Sequence, residues 1–121
     1  MTLSMLGWVA LGAAFGAPAR YLTDRAVTRA SMASAIPLGL LVVNVLGSAF
    51  LGVVVGVENS TLLVLLGTGF CGAFTTFSGF AWESGTLWSE HRERFWVFVA
   101  LMIVLCVGAF WVAWTLTTQL S

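Results

Sequence analysis

The residue types able to do chemistry in this chain gather in one stretch, GFCGAFTTFSGF at Gly69–Phe80, which holds the hydroxyls of Thr75, Thr76 and Ser78 among three glycines and four phenylalanines. No charge occurs from Thr61 to Trp82, where a helix facing lipid would simply carry Leu and Val. Gly67, Gly69 and Gly72, followed by the β-branched pair Thr75 and Thr76 and then by Ser78 and Gly79, make a poor continuous helix. An interrupted helix in hydrocarbon leaves backbone groups unpaired, which is tolerated only where protein or a water-filled cavity receives them. A break here would therefore mark an ion or substrate site. The same residues admit a plainer reading, in which the glycines let helices approach closely and the hydroxyls bond back to their own backbone.

A second polar feature lies in IPLGLLVVNVLGSAFLGVVVGV, where Asn44 and Ser48 are four residues apart and Gly52 and Gly56 follow at the same spacing. These four share one helical face. A carboxamide at membrane depth must meet protein or water. Asn44 is thus either glue between helices, worth about 1 kcal/mol, or part of a permeation path. Gly12 and Gly16, with Ala13 and Ala17 beside them, form a small-residue face suited to close packing. Arg20 follows Pro18 and reads either as an interfacial anchor or as a cation that draws anions to a pore mouth. His91 has no second group with which to bind a metal or activate a nucleophile. Cys71 and Cys106 fall inside apolar segments and read as small apolar residues. No catalytic constellation, phosphate loop or basic surface for nucleic acid is found.

These residues must be positioned by membrane helices. The chain has 121 residues, 60% hydrophobic and 8% charged, and a mean hydropathy of +1.00; soluble domains carry about 25% charged residues. Four uncharged apolar segments, 1–19, 36–57, 61–82 and 95–118, each approach the roughly 20 residues that cross a bilayer as a helix. The expectation is an all-α integral membrane protein with four transmembrane helices in a single domain, residues 1–121. The first segment lacks the preceding basic residues of a signal peptide and is kept as a span. Pro18 and Arg20 are expected to close it, with a polar connection over residues 21–35, a short turn at Glu58 and Asn59, and a polar loop SEHRER after Glu83. The last span carries tryptophan at both ends, as interface anchors would be.

GAPARY, GLLVVNVLGSAFLG and GFCGAFTTFSGF, in this order in a four-span chain, resemble the Fluc (CrcB-type) family of small fluoride channels over nearly the whole length. The resemblance implies an antiparallel dimer enclosing two fluoride pores in the inner (plasma) membrane, with a structural sodium ion on the dimer axis. The sodium would be held by the backbone carbonyls of Gly72 and Thr75 at a break in the third helix. Phe77 and Phe80 match the family's paired phenylalanines, whose electropositive ring edges can face an anion. Asn44 matches the pore asparagine, Ser78 a pore hydroxyl, Arg20 the vestibule arginine and Glu83 the acidic residue after the motif. The chain departs from the family at Leu40 and Gly79, where threonine is usual, and at Met102 and Cys106, where tyrosine and serine are usual.

Passive fluoride export is therefore the leading expectation. A small coupled transporter or drug exporter is the alternative, but it would want a membrane-embedded carboxylate, and Glu83 lies at a segment edge. A non-transporting membrane partner is the third class. Charge counting adds an expectation about assembly. Arg20, Arg25, Arg29, Arg92 and Arg94 all fall in the first and third connections, on one side of the membrane, and none falls on the other. The positive-inside rule then places those connections in the cytoplasm and both termini outside. A chain that forms an antiparallel homodimer by inserting both ways would show almost no such bias, so the expected partner is a second, oppositely oriented homologue. The hydroxyls missing at Leu40, Gly79 and Cys106 fit a heterodimer that keeps one working pore.

Overall fold

A computed structural model of the protein describes residues 2–30 and 36–120, and these are helical almost throughout, without strands. Helix α1 spans Leu3–Ala30 and α2 Leu38–Val57. A third helical run is composite: α3 covers Ser60–Leu62, a π-helical segment Leu63–Cys71, and α4 Gly72–Phe74. After Thr75 and Thr76 come α5, Phe77–Glu90, and α6, Arg92–Leu120.

Three stretches are long and apolar enough to cross a membrane: Leu38–Val57, Ser60–Glu90 and Arg92–Leu120. α1 is not among them, its apolar part being diluted by glycine and alanine and ending at Arg20. α1 does not stop at Pro18, contrary to the expectation from sequence; it runs on to Ala30 with Pro18 inside it. Proline removes one helical hydrogen bond but its fixed φ is helical, and the residues beyond it favour helix. Residues 21–30 are thus a charged helical extension, and 31–35 of the expected connection lie outside the described residues.

The expected loop SEHRER is corrected as well. Ser89 and Glu90 finish α5, Arg92 opens α6, and only His91 stands between them. Aromatic packing closes this hairpin. Trp88 meets Phe95 and Trp96 edge-on at centroid distances of 5.0 and 6.1 Å, and the Arg92 guanidinium lies over the Trp88 ring at 4.4 Å. At the opposite end Glu58 adopts the left-handed conformation, with φ 61° and ψ 37°. Asn59 then caps the next helix by accepting a 3.0 Å bond from the Leu62 N–H.

Glycine decides how closely the helices pack. A Cβ on Gly12 would collide with backbone at Leu65 and Phe70, and one on Gly16 with the Phe70 carbonyl. α1 and the π-helical segment therefore touch backbone to backbone. Gly52 and Gly56 press in the same way on α6 at Phe110, Ala113 and Thr117. The buried apolar core is small, centred on Leu41, Leu87, Phe98 and Met102. Much of the rest of the apolar surface is exposed, from Leu11 and Phe15 to Val104, Val107 and Trp111. A chain in water does not leave such patches open; a multi-pass membrane protein does.

Candidate functional site

The helical run stops at Phe74 because Thr75 (φ −85°, ψ 164°) and Thr76 (φ −149°, ψ 127°) are extended. The backbone groups of Thr76 are received by Asn44. The Thr76 N–H donates to Asn44 Oδ1 at 2.9 Å, and Asn44 Nδ2 donates to the Thr76 carbonyl at 3.1 Å. One side-chain amide thus pairs with both polar groups of a single residue, as a neighbouring strand would. The second Nδ2 hydrogen points at Met102 Sδ, 3.5 Å away. Asn44 is 8% exposed, and its carboxamide is fully engaged by these bonds.

The threonine hydroxyls make local bonds to backbone, as the plainer reading has it. Thr75 Oγ1 bonds back to the Cys71 carbonyl at 2.8 Å, within its own helix. Thr76 Oγ1 instead accepts from the Gly79 N–H at 3.1 Å, capping α5, and lies 3.1 Å from Ser78 Oγ. In an unbroken helix the Thr76 N–H would have gone to the Gly72 carbonyl, so the pairing with Asn44 releases that carbonyl. Gly72 is exposed, and a Cβ there would meet nothing within 4 Å.

Two cavities flank the interruption. The larger, about 640 Å³, is bounded by Arg20, Asp24, Leu40, Ser78, Gly79 and Glu83. The smaller, about 440 Å³, is bounded by Asn44, Ser48, Gly72, Thr75, Phe77, Phe80, Met102 and Cys106. Thr76 borders both. Phe77 is 79% exposed and tilts against Phe80 at a centroid distance of 5.8 Å, while Phe80 continues onto the buried Phe98 at 5.6 Å. The fold therefore divides the residues singled out in sequence into two groups. Arg20, Glu83 and Ser78 belong to the larger chamber, and Asn44, Ser48, Phe77, Phe80, Gly72 and Thr75 to the smaller. Gly12, Gly16 and Gly52 lie at helix crossings away from both.

Electrostatically the larger chamber joins one guanidinium to two carboxylates, beside the first turn of α5. That helix end carries about half a positive charge from its aligned peptides. Sequence reasoning names Thr76 only among the hydroxyls and β-branched residues of the break, without a role at the site, and does not name Asp24. Thr76 has a legible signal, a capping hydroxyl three residues before Gly79 at the head of a helical segment. Asp24 gives one too, standing a helical turn beyond Arg20.

Comparison with known proteins gives the family. Residues 7–115 match the family described as CrcB-like protein, Camphor Resistance (CrcB). The fluoride-specific ion channel FluC 1 of Nocardia farcinica is 47% identical over 115 residues, covering 93% of this chain and 80% of that protein. FluC 1 of Geobacillus kaustophilus is 45% identical over 108 residues, 88% of this chain and 90% of its own, and FluC of Vibrio campbellii is 36% identical over 121 residues, 94% of each. The matched span takes in both cavities and the interruption between them, and this chain belongs to the CrcB family.

Proposed function

We propose that the chain is a subunit of a fluoride-specific channel that lets the anion leave the cell passively, and that it crosses the inner (plasma) membrane four times with α1 as the first span. The observation that carries this reading is the Asn44–Thr76 pairing: irregular backbone inside an apolar run, held by a buried amide between two cavities. The kinship with proteins named as fluoride-specific channels supplies the anion.

Fluoride is small and strongly hydrated, so a dry path must offer it hydrogen-bond donors and positive edges. Ser78 Oγ, the first-turn amides of α5 and the ring edges of Phe77 and Phe80 are of that kind. Arg20 would gather anions at the wide chamber, with Glu83 beside it. Asn44 acts mainly by holding Thr76, and through it the start of α5, in place.

In this reading the composite third span is broken at Thr75–Thr76, and two subunits meet antiparallel across it to form two pores. The carbonyl released at Gly72 and that of the extended Thr75 suit a hard monovalent cation, which prefers oxygen ligands. Gly72 and Thr75 would hold sodium on the dimer axis, and the ion would tie the subunits together. Arg25, Arg29, Arg92 and Arg94 lie toward the end of the bundle where α1 stops and α6 begins, with Arg20 ten residues before the end of α1, and the charge of the opposite connection is Glu58 alone. That bias favours one-way insertion and pairing with an oppositely oriented homologue over a homodimer.

The deciding experiment is efflux from liposomes loaded with fluoride, chloride or a cationic dye. Selective, passive loss of fluoride is expected. Proton-coupled dye export would establish the transporter reading instead.

A further inference from the structure

Two sulfur atoms face the smaller cavity in direct contact. Cys106 Sγ donates to Met102 Sδ at 3.7 Å, one helical turn apart on α6, and both residues border that space with Phe77 and Phe80. Thioether and thiol are weak partners for a hard anion. They are strong ligands for soft cations, since thiolate and thioether select ions such as copper(I). Among the described residues no group of three or more His, Cys, Asp or Glu is assembled; the oxygens bordering this cavity are neutral hydroxyls, amide and carbonyls, and its soft donors are the sulfurs.

We propose that Met102 and Cys106 form a binding site for a soft monovalent cation of the copper(I) or silver(I) class. The two sulfurs, 3.7 Å apart, are close enough to bond one ion together. The metal would take the place of the Cys106 thiol hydrogen that is directed at Met102 Sδ. On binding, the Cys106 S–H bond breaks and its proton passes to water; an Sγ–metal bond forms, and the Sδ lone pair that accepted the proton is donated to the same ion. No electron is transferred. Asn44 Nδ2 can keep its contact with the sulfur from the other side.

Charge decides the valence. One thiolate and one neutral thioether around a monovalent cation sum to zero, which an apolar setting accepts, whereas a divalent ion would leave an uncompensated charge at membrane depth.

The test uses full-length protein in chloride-free detergent, titrated with silver nitrate and followed by calorimetry and native mass spectrometry. Cys71, the other thiol bordering the cavity, is first replaced by alanine. The C71A protein should bind one silver ion per chain. Adding Cys106→Ser should abolish that binding, and adding Met102→Leu should weaken it at least tenfold. Equal affinity with and without Met102 would reduce the site to a single thiol and overturn the proposal, as would silver binding that survives C106S. X-ray absorption on silver-loaded C71A protein needs no change at either ligand: two sulfur neighbours are expected, and one sulfur, or oxygen and nitrogen only, overturns it.

Discussion

Asn44 commits every hydrogen-bonding group of its carboxamide to the backbone of one residue and to one sulfur, and the value of that arrangement can be measured. Asn44→Ala leaves the Thr76 N–H and carbonyl without their partner, at an expected cost of about 1–3 kcal/mol in stability, read by unfolding in detergent. Asn44→Asp is the sharper probe. Its carboxylate can still accept from the Thr76 N–H but faces the Thr76 carbonyl with an acceptor, so it should lose flux as alanine does; wild-type flux in Asn44→Asp would show that only the bond from the N–H matters. Phe77 and Phe80 test the anion path itself. Replacing either by Ile keeps bulk and removes the ring edge, with an expected loss of about two- to tenfold in fluoride efflux per ring. Unchanged efflux in both variants at equal assembly would remove the rings from the pathway.

At the scale of elements, two glycines separate folding from assembly. A methyl group at Gly12 collides with backbone of the π-helical segment, so Gly12→Ala should destabilise the single chain by about 1–3 kcal/mol through overpacking. Gly72→Ala meets open space and gains helix propensity. It should leave the secondary structure and melting of the chain intact while lowering the fraction of the proposed dimer and removing the sodium dependence proposed for it, measured by size-exclusion chromatography with and without sodium. Intact dimers in Gly72→Ala would move the axis elsewhere. Much of this was legible beforehand. Composition and apolar length announced the membrane helices, and the run of glycines and hydroxyls announced a weak point after Gly67. The length of α1 was not legible, because Pro18 and a cluster of charges look like an ending, and helix propensity beyond the proline is too weak a signal to override that. The one-residue turn at His91 was hidden for a related reason. SEHRER is polar, but what shapes it is the Trp88, Phe95 and Trp96 contact, which sequence spacing does not show. The split of the site into two chambers needed the tertiary position of Thr76.

For the molecule as a whole, the bundle has a charged end and a nearly uncharged one. Epitope tags at each terminus, probed from inside and outside intact cells expressing this chain alone, should be reached from outside only, if the positive-inside rule governs insertion of the arginine-bearing end. Equal labelling from both faces would establish dual insertion and a homodimer.

The contact between Asn44 and Met102 also has a clock in it. Asn44 precedes Thr76 by 32 residues and Met102 by 58. At a synthesis rate of roughly 5–20 residues per second, about 2–6 s separate the first partner from Asn44 and about 3–12 s the second. During translation the carboxamide therefore enters the bilayer ahead of every group that will satisfy it, and α2 must wait at the insertion machinery, or borrow water there, until the Thr76 peptide arrives to claim it and the C-terminal helix seals the joint.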